Sequence, residues 1–432
     1  MKIKKLKLIF VIILVFSVLA SCTPAQPDTS PAVSTDNLNF RITWDSFSGR
    51  GEAIQKIVDS YNEESTTGTY ISMVSGDEDK AAIGALLQAD NADTIFVLPY
   101  RYVKYFGANA YLSDLTLPFD YATQLFYPEL WNLGTVDNAV YGIPWLGHSM
   151  CLLYNKNLLD EAGVDPASID SLESWVSAMD AVEANTDAAG VGLVGAESND
   201  VSWMVNQFIY GFGGTLVDDS GTKVTINNES SKAAIEFYKN VLGTRAQPTW
   251  LNDTGVEVMS CFLGQEVAFE FQGIWGVTDI EKNGSPFDVG IIALSDIGLN
   301  SEVGPMMLAI PAGMSEIHKN AAIDFIKYMI STDAQEKIMD GEYSPEHDAY
   351  YPFRTPIRLD MVQSAFFTAY PEYQSFLTGF KNPSIDVPVP AWQTIKDNYY
   401  APGLHQVMTG EISVDDFLAT IETEGDKILN MG

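Results

Sequence analysis

The chain has 432 residues, 24 of them basic and 57 acidic, for a formal net charge of −33. A surface so acidic repels phosphate backbones and anionic headgroups, which excludes nucleic acid and general membrane adsorption as partners. With 46% hydrophobic residues, a chain of this length buries large cores and is expected to split into two lobes, while 8 Trp and 20 Tyr exceed what core packing alone requires.

Met1 is followed by Lys2, Lys4, Lys5 and Lys7, then by an apolar run that is unbroken from Leu8 to Phe16 and continues to Leu19. The run ends Leu19-Ala20-Ser21-Cys22. A basic start, a short apolar stretch and small residues before a cut describe a secretory signal rather than a spanning helix. Cysteine placed after Leu-Ala-Ser resembles a bacterial lipoprotein signal. By that resemblance residues 1–21 are removed and Cys22 is acylated, with palmitate, anchoring the protein on the extracytoplasmic face of the cell membrane. The alternative is an ordinary signal peptide with a chance cysteine. Residues 22–37 are small, polar and proline-rich and read as a flexible stalk.

Phe40-Arg41-Ile42-Thr43-Trp44 alternates as a strand, and a Gly-rich turn leads to a helix with Ala53, Ile54, Ile57, Val58 and Tyr61 on one face. A strand over 70–74, a helix over 79–88 and the apolar run 94–98, stopped by Pro99, follow. Strand, helix, strand, helix, strand is the pattern of a parallel sheet with crossovers. A second α/β series opens with the strand 150–154. Asp170 and Glu173 stand at capping-box spacing before a helix that places Leu172, Val176 and Met179 together. Further helices are expected near 200–212, 229–242 and 256–263, strands over 266–271, 287–294 and 306–310, and a helix over 317–330. Residues 357–430 read as largely helical. Cys151 and Cys261 sit in apolar contexts typical of buried free thiols, although an exported protein can pair them.

Tyr141-Gly142-Ile143-Pro144-Trp145, Leu152-Leu153-Tyr154-Asn155-Lys156, Leu158, Ala162-Gly163-Val164-Asp165 and Trp175 follow one another in an order that resembles a known family. It is the extracellular solute-binding proteins of ABC importers, in the branch of the maltose- and multiple-sugar-binding proteins. Gly213-Gly214 with Asp218-Asp219-Ser220-Gly221, Phe262 with 264–269, Gly273-Ile274-Trp275, Leu308-Ala309-Ile310-Pro311 and 321–328 continue the resemblance, which covers roughly residues 38–430. Two departures stand out. Ile274 replaces the family's proline before Trp275, and the bulky Trp145 follows the hinge proline, with His148 further on.

The resemblance implies an α/β, two-lobed periplasmic-binding-protein-like fold, each lobe a mixed, mainly parallel sheet flanked by helices, with the ligand cleft between the lobes. Its expected lobes are 38–143 with 307–350, and 146–306 with 353–432. It implies a solute-binding protein that captures a sugar or oligosaccharide for an ABC transporter permease, without enzymatic activity, cofactor or metal, as a monomer.

Carbohydrates offer C–H faces that prefer aromatic rings and hydroxyls that must be re-paired on burial. In open α/β sheets the site lies beyond the carboxyl ends of strands. Trp44, Asp45 and Phe47 follow the first strand, Tyr100 and Arg101 follow the strand ending at Leu98, Trp145 and His148 border the first crossing between lobes, and Trp275 follows the strand 266–271. By resemblance the first-strand loop, the Tyr100-Arg101 turn, His148 and Trp275 match ligand-contacting positions, and Trp392 and Tyr399 match loosely. Structural roles compete with each: core packing for Trp44, Trp145 and Trp392, a turn cap for Asp45, an acid pair for Arg101. A peptide, polyamine or other cationic solute is the alternative ligand. The rival class is a lipid-anchored glycan hydrolase, for which Gly147-His148-Ser149-Met150-Cys151 approaches a nucleophile elbow but ends in Cys and runs into an apolar strand. The four histidines have no metal-binding spacing.

Overall fold

The computed structural model describes residues 36–89, 93–381, 383–387 and 389–430. The expected signal segment, Cys22 and most of the stalk lie outside the described residues. The last two stalk positions, Asp36 and Asn37, already belong to the first strand.

In chain order the strands of the two principal sheets are β1 (Asp36–Arg41), β2 (Thr69–Val74), β3 (Thr94–Pro99), β4 (Ile143–Gly147), β5 (Cys151–Asn155), β6 (Ala189–Gly192), β7 (Val267–Gln272), β8 (Val289–Ala293), β9 (Met306–Ala309) and β10 (Thr355–Pro356). They assemble as a six-stranded sheet, β10-β4-β9-β3-β1-β2, and a four-stranded sheet, β8-β5-β7-β6. Each sheet is the frame of one lobe. Within these two sheets, parallel pairing among the described residues is confined to β1–β2, β1–β3 and β6–β7. The other pairs are antiparallel, so both sheets are mixed but neither is mainly parallel. The alternation of strands and helices predicted crossovers correctly for the first three strands. It could not foresee that β9, returning from far along the chain, inserts between β3 and β4 and runs against both.

Local patterning accounts for the elements that carry the site. Leu38 and Phe40 of β1 are fully buried, and pairing with β2 and β3 ends near Arg41. The strand therefore stops earlier than the apolar run suggested, and Trp44 falls in the loop beyond it. Ser48 caps the following helix, Gly49–Glu64, by accepting from the Gly51 N–H, and the helix buries the five apolar residues that its periodicity grouped together. The cap of the helix Leu172–Asn185 sits one residue later than expected: Ser171 and Ser174 form the reciprocal box, while Asp170 instead receives the Ser174 hydroxyl. Residues 357–430 are largely helical, as expected, though much of the segment is in short pieces. Short helical turns extend to Lys381, and longer helices follow over 392–409 and Val414–Leu429.

Two chain passages connect the sheets side by side. His148 and Gly304 exchange backbone hydrogen bonds of 3.3 Å, and the Met150 N–H donates to the Glu302 carbonyl at 3.0 Å. Gly304 is required here because a Cβ would stand 2.1 Å from the Tyr100 ring. One hydrophobic core joins the six-stranded sheet to one face of the four-stranded sheet, and a second fills the opposite face around Trp175, Trp392 and Tyr400.

Trp145 belongs to the first core. It is fully buried on β4 and meets Phe40 edge-on at 5.6 Å between ring centroids, while Phe40 in turn packs on Phe325. Trp145→Ala is expected to lower the unfolding free energy by about 3–5 kcal/mol in urea denaturation, whereas a loss under about 1 kcal/mol would place the indole outside the core.

Candidate functional site

The ends of β1 and β7 bring two indoles to the same guanidinium. Trp44 lies past β1, and Trp275 sits in the first turn of the helix Ile274–Lys282, directly after β7. Arg354, just before β10, places its Cζ 5.1 Å from the Trp44 ring centre and 4.5 Å from that of Trp275. His148 meets Trp275 edge-on at 5.5 Å, and its Nε2 lies 2.5 Å from Glu302 Oε2. Glu302 is buried and its Oε1 has no partner. Arg354 donates from Nη1 to the Phe353 carbonyl at 2.9 Å, but its Nε has no partner and it makes no ion pair among the described residues. Burial first, and the Arg50 charge second, push the Arg354 guanidinium down to about 9.

Beside Trp275 opens a cavity of about 400 Å³ lined by Arg50, Asp200, Trp203, Glu270, Gln272 and Asp279, among others. Glu270, on β7, is fully buried; its Oε1 accepts from the Gln272 side-chain amide at 2.9 Å and its Oε2 has no partner. Burial, reinforced weakly by Asp279, pushes this carboxyl up to about 8. The Trp203 indole N–H is likewise buried without a partner. Arg50, at the start of the helix Gly49–Glu64, divides its guanidinium between Glu342 Oε1 at 2.9 Å and Asp279 Oδ2 at 3.2 Å. Lys282 pairs with the other oxygen of the buried Glu342. This ionic clasp ties the first helix of one lobe to the helix that carries Trp275.

Among the residues singled out in the sequence, Trp44, His148 and Trp275 converge. Arg101 is near them but engaged: its Nη2 donates to Glu78 at 2.7 Å, and its Cζ lies 5.4 Å from the Trp203 ring centre. Tyr100 is buried, with its hydroxyl accepting from the Asp386 N–H at 3.2 Å. Asp45 turns the loop by accepting from the Phe47 N–H, and Phe47 itself is 89% exposed. Trp145 is in the core, as described above. Trp392 is also a core residue; its indole N–H donates to Asp386 at 2.7 Å beside the buried Lys396–Asp386 pair. Tyr399 is half-buried against the second core. Arg354, Glu302, Glu270 and Trp203 were not singled out in the sequence. Charged residues are too frequent for their spacing to mark the first three, and Glu270 reads there as one more acid in an alternating strand.

The side chains of the segment that approaches a nucleophile elbow are already engaged. Ser149 is fully buried and its hydroxyl donates to the Phe376 carbonyl, while His148 is held by Glu302. The segment Gly147–Cys151 therefore departs from a nucleophile elbow in geometry as well as in sequence. Cys151 and Cys261 are both free; burial pushes each thiol up, well above its ordinary value for Cys151 and to about 11 for Cys261.

Glu270 holds its proton in the folded protein where an ordinary glutamate, near 4.5, has lost it. Between about pH 4.5 and 8 the folded state thus binds more protons than the unfolded chain, and stability falls as pH rises through that window, by at most about 1.4 kcal/mol per pH unit. Glu270→Gln is expected to flatten the decline of Tm measured from about pH 5 to 8. Equal slopes in the two proteins would mean a solvated carboxyl.

The model of the bacterial extracellular solute-binding protein family matches residues 56–375. A probable ABC transporter-binding protein of Deinococcus radiodurans is 24% identical over 230 residues, covering 51% of this chain and 54% of that protein. The lactose-binding protein of Rhizobium radiobacter is 24% identical over 255 residues, 55% of this chain and 58% of that one. The matches thus span little more than half the length of these curated relatives. In fold, the chain is similar to a solute-binding protein of Thermotoga lettingae bound with α-D-tagatose, at a TM-score of 0.78 and 19% identity, over 92% of this chain and 100% of that one. The family model spans well over half of the sequence, and this leads to one conclusion: the chain belongs to the bacterial extracellular solute-binding proteins.

Proposed function

We propose that this protein captures a sugar or oligosaccharide in the cleft and delivers it to the permease of an ABC importer. One observation carries the reading: indoles from the ends of strands in different sheets, Trp44 and Trp275, stand on either side of one group, with buried hydrogen-bonding residues around them. Flat rings accept a sugar's C–H face, and the His148, Glu302 and Arg354 side chains re-pair hydroxyls removed from water. The lactose and tagatose named for the two similar proteins above support the same class of ligand.

In this reading residues 38–143 with 307–350 form one lobe and 146–306 with 353–432 the other. Ligand closes them about the paired passages at His148 and Gly304, and the importer recognises the closed form. Trp44, His148 and Trp275 contact the ligand directly, and Arg101 acts at the edge through Trp203. The protein works as a binder without turnover. Residues 1–21 act as a signal, and acylation of Cys22 holds the protein at the outer face of the cell membrane. Among the described residues no helix is long and apolar enough to cross a membrane. Stable anchoring takes more than one acyl chain.

Trp275→Ala is expected to weaken binding of the best sugar in a calorimetric panel by about tenfold or more, with Tm nearly unchanged. Unchanged affinity would remove that indole from the site. Cys22→Ser is expected to release the protein from cell membranes into the soluble fraction, and retention in the membrane pellet would contradict the anchor.

A further inference from the structure

The cavity beside Trp275 carries more acid than base. Asp200, Glu270 and Asp279 line it, against Arg50 as its basic lining residue. Arg50 is already shared between Asp279 and Glu342. Asp200 receives the Gly255 N–H at 3.1 Å. Arg101 and Lys396 approach the Trp203 ring, but each is tied to its own acid, Glu78 and Asp386. Arg354 lies over Trp275 and does not line this cavity. Glu270 is left with a fully buried oxygen that nothing pairs, and Trp203 with a buried N–H in the same wall. Both residues line the cavity, and orphaned buried polar atoms beside such a space are groups that an occupant completes.

We infer that the ligand is a saccharide bearing a free amino group, whose ammonium pairs with Glu270 in the cavity between Trp203 and Trp275. The inference rests on the sugar-binding reading of the cleft. A neutral hydroxyl would give the protonated Glu270 carboxyl one ordinary hydrogen bond and no partner of opposite charge. An ammonium supplies the missing opposite charge together with charge-assisted hydrogen bonds. An acidic sugar would face Asp200 and Asp279 across the same space. The Trp203 N–H takes an adjacent hydroxyl oxygen as its acceptor.

Pairing also moves a proton. Glu270 is flanked on its neighbouring strands by Leu153 and Gly192, which carry no charge. Asp279 and Asp200 face it from the adjoining helices, Cys261 from the helix Gly255–Leu263, and Arg50 from the clasp. At neutral pH its proton leaves when the ammonium arrives, so binding is accompanied by net proton release.

The test is isothermal titration of the purified protein with glucosamine, galactosamine and short chitosan oligomers, against the matching neutral and N-acetylated sugars. Two buffers of different ionisation heat report the proton. The amino sugars are expected to bind about tenfold or more tightly than their neutral counterparts, with proton release, and Glu270→Gln is expected to abolish both the preference and the release. Equal or weaker binding of the amino sugars in the wild-type protein overturns the inference and leaves the sugar reading standing. A preference that survives Glu270→Gln also overturns it. Binding of neither set overturns both. Should the variant fail to fold, the wild-type ratio and the proton count decide alone.

Discussion

Desolvated charge sets the terms for this cleft. The buried Glu342 is tolerated because Arg50 and Lys282 each take one of its oxygens, and Arg50 reaches on to Asp279 in the helix that carries Trp275. The clasp ties the helix after β1 to the helix after β7, so the indoles beyond those two strands are placed relative to each other by it. Removing one member would strand the others in a low-dielectric setting, which costs far more than an exposed pair contributes. Geometry at the site and charge balance are therefore one problem.

The clasp leaves two groups unresolved, and they define what the cleft lacks. Arg354 is held between Trp44 and Trp275 without an ion pair among the described residues, and Glu270 is buried with an open oxygen. Burial pushes the guanidinium down and the carboxyl up, each toward its neutral form. A binding protein gains selectivity from such groups, because an occupant that cannot complete them leaves their desolvation unbalanced.

Periodicity made much of the fold legible. The helix Gly49–Glu64 buries the residues its spacing grouped, and β3 matches the apolar run before Pro99. Strand direction was not legible, since pairing of β9 between β3 and β4 depends on contacts distant in sequence. At the site, strand-end aromatics pointed to Trp44 and Trp275 and also to Trp145, and the looser family match added Trp392; the last two pack cores. An indole gives the same signal in a core as in a cleft, and only the neighbours of each, Phe40 for one and Asp386 for the other, separate the roles. Glu270, Trp203 and Arg354 were hidden for a different reason. Their interest lies in partners they lack, and a missing partner leaves no mark in a linear pattern.

The direct measurement is a crystal structure of the protein grown with its tightest-binding saccharide. Ring density against the Trp44 and Trp275 faces, with a ligand nitrogen within hydrogen-bond distance of Glu270 Oε2, is the predicted result. A ligand seated away from both indoles, with Glu270 still unpaired, would contradict it.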